Sequence, residues 1–309
     1  MTRFYLRRRP LSVRYMTELA ALAFPFCRLA HRQNRKEVPI LGAFTSTLVS
    51  ALHIQNRLLA SLSPADLKHL RPNLREVPIE QGEMLEEPGH SLDAVYFPQS
   101  GLISLIVQMP EDSTVEVGTV GSEGAIGMAV GLGSRVSFIC ALVQVSGTAL
   151  CVPASAFRGA ASQNARIRDL IVRYSELQLG QIQQTAACNA LHHVSGRLCR
   201  WLLQTSDKID SDTIPFTHEF LSKMLGVRRS TVSQIASALQ AAGIIHTHRG
   251  KIKLLKRQAL KKRTCECYEI VRQHIDRLVP KTSKDKHNSF AANRREKEGA
   301  ALTSSFRSE

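Results

Sequence analysis

The segment from Thr217 to Leu255 constrains the fold of this chain more than any other, because its apolar residues follow the spacing of two short helices and then of two strands. Thr217 can cap the first helix with its hydroxyl group. Gly226 interrupts the helical pattern where a tight turn is needed, and Gly243 is placed to end the second helix. Two short strands, 244–247 and 252–255, follow. This order predicts a winged helix-turn-helix.

The second helix of this segment is expected to have one apolar and one polar face. The apolar face consists of Val232, Ile235, Ala236 and Leu239. The polar face consists of Arg229, Ser230, Ser233 and Gln234, and we predict that these residues contact DNA bases in a major groove. The residues predicted to contact phosphates are Thr217, Arg228, Arg249 and Lys251. The basic hairpin and the polar face favour this interpretation over an ordinary helical hairpin with solvated charges.

The distribution of charge supports a polyanionic partner at one end of the chain. The formal net charge is +15 over 309 residues. From Leu48 to Thr185, nine Lys and Arg residues are outnumbered by thirteen acidic ones, whereas from Asp212 to Val279 thirteen basic residues face only five acidic ones. A basic C-terminal part joined to an acidic body is typical of a protein that binds nucleic acid through one domain.

The part before this segment predicts a strand-rich domain followed by a long helix. Short apolar runs at 94–97, 102–107, 115–120, 138–145 and 149–152 alternate with turn residues. This spacing indicates a compact antiparallel roll. We assign residues 48–160 to this sensor domain and 187–279 to the DNA-binding domain.

The helix between these two domains, 161–186, has more apolar residues than one small domain is expected to cover. A helical stretch opens at Pro153, and a second helix is expected over 187–203. We therefore predict a homodimer in which the long helix pairs with its symmetric copy. The residues predicted at that contact are Ile167, Leu170, Ile171, Tyr174 and Leu177.

The two ends of the chain and its cysteines indicate which segments lie outside the folded domains and which cell compartment the protein occupies. Residues 1–47 are expected to be a disordered basic extension, and 280–309 a disordered tail. Seven cysteines without disulfide-framework spacing, and no apolar run long enough for a membrane span, are typical of a cytoplasmic protein with reduced thiols.

The order of a strand-rich roll, a long helix and a winged helix resembles the Crp–Fnr family of bacterial transcription regulators. The motifs that carry this resemblance are FPQSG (97–101), VGSEGAIG (120–127), QTAACNALHHVSGRLCRWLL (184–203), THEFLSKMLGVRRSTVSQ (217–234) and CECY (265–268). They look like a branch found in alphaproteobacteria. The resemblance implies an α+β fold with a cyclic-nucleotide-binding-like β-roll, a DNA partner with a palindromic operator, and RNA polymerase as a further partner.

The resemblance also locates an effector pocket and indicates what it lacks. Family members that bind cyclic nucleotides use Gly-Glu and Arg-Ser pairs, and the matching positions are Gly127-Met128 and Ile139-Cys140. Neither Met128 nor Ile139 can pair with a ribose hydroxyl or a phosphate, so we predict that cyclic AMP does not bind. The N-terminal side has only Cys27, which cannot hold an iron–sulfur cluster. We expect no cofactor and an unidentified small-molecule effector.

Several cysteines and histidines are candidates for binding a metal ion or for catalysis. His246 and His248, together with Cys265 and Cys267, could form a zinc site, but Cys-x-Cys on a helix would point its sulfurs apart, so we predict no metal. Cys188 with the His192-His193 pair is expected to cap or join domains rather than catalyse. The chain is thus expected not to be an enzyme. Two alternatives stay open: a regulator of the same fold that needs no ligand, and a small-molecule-binding or enzymatic domain with an incidental basic tail.

Overall fold

The computed structural model describes residues 53–109 and 114–279, so the predicted extension 1–47 and tail 280–309 lie outside the described residues. An antiparallel β domain is followed by a long helix and a C-terminal winged helix-turn-helix, which confirms the predicted α+β fold. Among the helices of the described ranges, none is long and apolar enough to cross a membrane.

The first domain is a β-roll built from two antiparallel sheets. Its strands are β1 (Arg75–Ile79), β2 (Met84–Glu86), β3 (Ala94–Pro98), β4 (Leu102–Gln108), β5 (Thr114–Val120), β6 (Cys140–Val145) and β7 (Gly147–Pro153). The sheet orders are β1-β7-β3 and β2-β6-β4-β5. Two short helices, α1 (Arg57–Ala60) and α2 (Pro64–Leu67), precede the strands. The strands expected from the alternation of apolar and turn residues are thus present within a few residues.

Strand β4 explains how the two domains are joined, because it is buried on both faces from Leu102 to Ile106. Ile103 and Leu105 face the interior of the roll, whereas Leu102 and Ile106 belong to the core of the C-terminal domain. Gly101 makes the turn into this strand, with φ at +87°, and a Cβ atom there would lie 2.6 Å from the Val145 carbonyl oxygen. Strand β4 therefore lies between two hydrophobic cores and contributes side chains to both.

Three helices connect the roll to the C-terminal domain: α3 (Ala154–Gln163), α4 (Ala165–Leu191) and α5 (Val194–Ile209). The predicted continuous helix is interrupted at Asn164, whose side chain accepts hydrogen bonds from the amides of Arg166 and Ile167 and so starts α4. The predicted start of the next helix at residue 187 is wrong. Helix α4 continues to Leu191, and the extended residues His192 and His193 separate it from α5.

The C-terminal domain consists of four helices and a small sheet. Its elements are β8 (Thr213–Ile214), α6 (His218–Leu225), α7 (Arg229–Ala241), β9 (Ile245–His248), β10 (Lys251–Leu254), α8 (Arg257–Lys261) and α9 (Cys267–Leu278). The small sheet has the order β8-β10-β9. Helix α9 returns to pack along α4.

Buried polar contacts join helix α5, whose Trp201 belongs to the core of the C-terminal domain, to the roll. The indole nitrogen of Trp201 in α5 donates to Glu116 in β5 at 2.8 Å, and the Ser104 hydroxyl donates to the same carboxylate at 2.6 Å. The Lys208 ammonium group pairs with Glu123 and donates to the Thr119 carbonyl oxygen. Such contacts within a shared core fix the position of one domain on the other.

Candidate nucleic-acid interface

Helices α6 and α7 form the helix-turn-helix. The Thr217 hydroxyl accepts a hydrogen bond from the Phe220 amide at 3.1 Å and so caps α6, as the sequence predicts. Gly226 ends α6 in the left-handed region, with φ at 63°. The Val227 amide then donates to the Ser222 carbonyl oxygen at 2.9 Å, which closes the turn into α7.

Helix α7 has the two faces that its sequence predicts. Val232, Ala236 and Leu239 are buried, and Ile235 packs partly buried against the same core. The outer face carries the predicted base-contacting residues, of which Arg229, Ser230 and Gln234 are exposed. Ser233 is half-buried, and its hydroxyl lies 3.1 Å from Nδ1 of His218. The predicted residues thus share one face, but Ser233 is already engaged by α6.

Strands β9 and β10 form the wing, one residue out of step with the predicted strand limits. His248 pairs with Lys251, so Arg249 and Gly250 alone make the turn, and both have positive φ, at 43° and 74°. Such a two-residue turn requires this backbone at both positions, which glycine adopts more readily than arginine. The turn presents the exposed Arg249 and Lys251 beside Thr217, since a Cβ on Gly250 would lie 3.4 Å from Thr217 Cγ2.

A groove of about 310 Å³ separates the wing from the helices and gathers several predicted contacts. It is lined by Thr217, Arg249 and Lys251, three of the four residues predicted to bind phosphate, together with Arg229. Arg228, Ser230 and Gln234 do not line the groove but are exposed on or next to α7.

Two residues of α6 meet Arg229 in this region. Partial burial and the Arg229 charge lower the pKa of His218, so its imidazole is favoured in the neutral form. The Arg229 Nε lies 4.0 Å from a Glu219 carboxylate oxygen, and both side chains are largely exposed. An exposed pair at that distance is weak, so Arg229 is available to a ligand.

The four residues predicted for an effector pocket do not turn their side chains into one cavity. Gly127 has φ at +87° and a Cβ there would lie 2.5 Å from the Ala94 carbonyl oxygen, so its backbone is tightly covered. Met128 is buried in the core between the roll and α3, whereas Cys140 belongs to the core of the C-terminal domain. Ile139 packs against a third cluster inside the roll. The side chains of Met128, Ile139 and Cys140 thus belong to three clusters, although Gly127 and Ile139 both flank the buried hydrogen bond between Ser137 and Glu86.

The residues predicted for the dimer contact need correction, because four of the five are covered by their own chain. Ile167, Leu170, Ile171 and Tyr174 are between 0% and 3% exposed in the core of the roll. The Tyr174 hydroxyl contacts both the amide and the carbonyl of Ala125, at 2.9 Å each. Leu177 packs partly buried beside them. The most apolar face of α4 covers the roll, so a second copy would have to meet a different face.

Sequence reasoning also missed a buried carboxylate between the domains. Glu116 is buried, and burial raises its pKa to about 7, although Ser104, Trp201, Arg200 and Lys208 all act to lower it. A carboxyl group with such a pKa changes its charge near neutral pH. Glu116 lies in a strand whose alternation is otherwise ordinary, so no sequence signal marks it.

A second missed feature is a group of four side chains that could hold a metal ion: Cys188, His192, Cys265 and Cys267. Their ligand atoms lie within 4.8 Å of one another. The group uses the predicted Cys-x-Cys pair but neither His246 nor His248. Cys265 precedes α9, so the argument that a helix would separate the two sulfurs does not apply. The four-residue spacing of Cys188 and His192, one helical turn, is the signal that could have revealed the group.

Comparisons with known proteins agree with this architecture. Residues 196–263 match the family model of the Crp-like helix-turn-helix domain. A comparison with curated protein sequences gave no significant match.

Solved structures show the same fold at low sequence identity. FixK2 from Bradyrhizobium japonicum has 15% identity and a TM-score of 0.55, covering 62% of this chain and 98% of that one. The c-di-GMP-responsive global regulator CLP from Xanthomonas campestris has 18% identity and a TM-score of 0.52, covering 62% and 99%. A CRP/FNR-family regulator from Thermus thermophilus has 19% identity and a TM-score of 0.51, covering 61% and 97%. The chain therefore has the fold of Crp/Fnr-type DNA-binding transcription regulators, with a Crp-like helix-turn-helix domain at residues 196–263.

Proposed function

We propose that this chain is a sequence-specific DNA-binding transcription regulator that acts as a homodimer. The observation that carries the proposal is the position of Arg229, which lies both on the exposed face of α7 and at the groove lined by Thr217, Arg249 and Lys251. One continuous surface thus offers a base-reading side chain and phosphate-binding groups. Docking of this domain on the roll leaves that surface exposed.

The chemistry of each side chain determines whether we expect it to contact a base or a phosphate. The Arg229 guanidinium can donate two hydrogen bonds to the O6 and N7 edge of a guanine, and the Gln234 amide can pair with an adenine. Ser230 extends the same face, and Ser233 would have to exchange its His218 contact for a base. Lys251 and Arg249 on the wing, Thr217 at the start of α6 and Arg228 before α7 would hold phosphates.

The dimer is proposed along the outward face of α4. Val172 and Leu179 are 45% and 55% exposed, and Ala186 is exposed a further seven residues along the helix. Apolar residues at seven-residue spacing are typical of a helix that pairs with a parallel copy. The other sides of α4 are covered by the roll and by α9. Two-fold symmetry would place two α7 helices on the half-sites of a palindromic operator.

The signal is left unidentified in this proposal. A regulator of the same fold that needs no ligand stays an alternative, because Met128 and Cys140 are buried in separate cores. A small-molecule effector would have to bind elsewhere or open one of these cores. RNA polymerase is an expected partner on the strength of the family resemblance.

The test compares three alanine variants on an operator obtained by footprinting across genomic DNA. Arg229→Ala should reduce discrimination at one base pair per half-site by about 1–3 kcal/mol while random duplexes bind almost as before. Lys251→Ala should weaken binding to all sequences alike and reduce the salt dependence by about one ion. Arg71→Ala, an exposed arginine of the roll, is the matched control and should change neither quantity.

The proposal fails if the protein binds no duplex with sequence preference at moderate ionic strength. The base-contact role of Arg229 fails separately if its alanine variant loses the same affinity on operator and random DNA. A base-selective loss in Lys251→Ala would refute the phosphate role of the wing.

A further inference from the structure

We propose that Cys188, His192, Cys265 and Cys267 form a zinc site that ties the end of helix α4 to the start of helix α9. The four side chains come from two separate segments, one immediately before the break between α4 and α5 and one immediately before and within the first turn of α9. This site lies outside the DNA-binding surface, so the proposal does not depend on DNA recognition.

Local structure explains why each pair converges. Cys188 lies in the last turn of α4 and His192 is the first residue after the helix. The His192 amide donates to the Cys188 carbonyl oxygen at 3.1 Å, which holds His192 next to that last turn. Cys265 lies in the turn that leads into α9, and the Tyr268 amide donates to its carbonyl oxygen. The sulfurs of Cys265 and of Cys267, the first residue of the helix, lie within 4.8 Å of each other.

The distances suit one tetrahedral ion. The sulfurs of Cys188 and Cys265 are 3.5 Å apart, and the sulfur of Cys267 is 3.5 Å from His192 Nδ1. Zinc–sulfur bonds of about 2.3 Å in a tetrahedron place neighbouring sulfurs about 3.8 Å apart. Two separations are thus close to this value, and because no two of the four ligand atoms lie more than 4.8 Å apart, closing around the ion needs shifts of about 1 Å or less.

Outer contacts orient two of the ligands. The Nε2 atom of His192 lies 3.0 Å from a Glu266 carboxylate oxygen, which leaves Nδ1 free to bind metal. This carboxylate–histidine arrangement is common behind zinc-bound histidines. The Gln184 amide donates to the sulfur of Cys267 at 3.0 Å, as expected for a hydrogen bond to a thiolate. Both contacts are of the kind that fixes a ligand before the ion arrives.

The chemistry of the four ligand side chains indicates which metal binds and whether its role is structural or catalytic. Three thiolates and one imidazole in tetrahedral positions prefer zinc among common metals. Such a centre carries one net negative charge, and Arg200, which is 6% exposed, supplies positive charge close to Cys188. Cys188 and Cys267 are fully buried, and all four positions are filled by protein. A closed site of this kind is structural rather than catalytic.

The consequence is a fixed joint between the long helix and the DNA-binding domain. The extended residues His192 and His193 form the one backbone connection between α4 and α5, and the zinc site would add a second connection through α9. The free energy of zinc binding would then contribute to folding of this joint.

Metal analysis of the tag-free full-length protein, expressed with added zinc, is the primary test. We expect about one zinc per chain in the wild type and in Cys151→Ser, a control cysteine in strand β7, and strong depletion in Cys188→Ser and Cys267→Ser. Cobalt added to the chelator-treated wild type should give the visible absorption of a tetrahedral cobalt–thiolate centre. Its absence, together with no zinc in the wild type, would overturn the proposal.

A substitution outside the four ligands tests the site without the risk that the variant fails to fold. Glu266 is exposed, so Glu266→Gln should leave the fold intact but weaken zinc binding about 10- to 100-fold in competition with a chelator. Glu176→Gln, an exposed control on α4, should bind zinc like the wild type. Equal affinity in both variants would remove Glu266 from the site. If non-reducing peptide mapping shows a Cys188–Cys265 disulfide and the protein holds no metal, these two residues form a disulfide and not a zinc site.

Discussion

Glu116 provides the sharpest test of how the two domains are held together, since its carboxyl group is buried in a core where a negative charge is unfavourable. The carboxyl group accepts hydrogen bonds from Trp201 and Ser104 inside the shared core, and burial raises its pKa to about 7 from an ordinary value of 4.5. A raised pKa means that the folded protein holds a proton that the unfolded chain has released. Glu116 therefore stabilises the fold most at low pH, and the contribution is lost as pH rises.

The magnitude follows from the size of the shift. Between about pH 4.5 and 7, the Glu116 contribution to the free energy of unfolding should fall by about 1.4 kcal/mol per pH unit. The total loss is about 3 kcal/mol, after which the contribution levels off. Glu116→Gln removes the titration but keeps a side chain of the same shape. The difference in unfolding free energy between wild type and variant should follow this curve with pH.

Trp201 makes the measurement direct, because it is the only tryptophan in the chain and donates to Glu116. Urea unfolding followed by its fluorescence, at fixed protein concentration from about pH 5 to about pH 8, gives the difference at each pH. A difference that is independent of pH, or that favours the wild type more as pH rises, would contradict the reasoning. It would mean that Arg200 and Lys208 keep the buried carboxylate ionised in the folded protein.

Two further predictions concern association and ligand binding. Leu179→Glu on the outward face of α4 should convert a dimer to a monomer in analytical ultracentrifugation, because it places two charges in the apolar contact between the paired helices. Leu132→Glu on the roll, where Leu132 is equally exposed at 55%, should leave the dimer intact. Dissociation by both variants, or by neither, would reject this contact. Isothermal titration with cyclic AMP should show no micromolar binding, since Ile139 and Met128 offer no group for the phosphate or the ribose; a measurable heat of binding at that affinity would contradict this.

Sequence patterns predicted the local elements of the C-terminal domain because their determinants are local. Thr217, Gly226 and Gly250 act on their own backbone, so each fixes a cap or a turn wherever the segment stands. The two faces of α7 follow from helical periodicity alone. For the same reason the wing was placed within one residue.

The long helix shows where periodicity stops being informative. The apolar excess of α4 predicts a contact beyond the roll, but the pattern does not say which partner covers which face. The roll covers Ile167, Leu170, Ile171 and Tyr174, which share one side of the helix, and this leaves Val172 and Leu179 exposed. The break at His192 also escaped prediction, since no proline or glycine marks it.

The sequence by itself determined the order of the elements, the exposed polar side of α7 and the positions of the turns around it, all of which depend on residues close together in the chain. Only the tertiary structure decided that Cys188 meets Cys265 and that Glu116 meets Trp201. Their separations in sequence are 77 and 85 residues, and no local energy depends on such pairs. They form because α5 packs against the roll and α9 packs along α4, which brings distant side chains together in desolvated surroundings, where a charge or a thiol takes its properties from its neighbours.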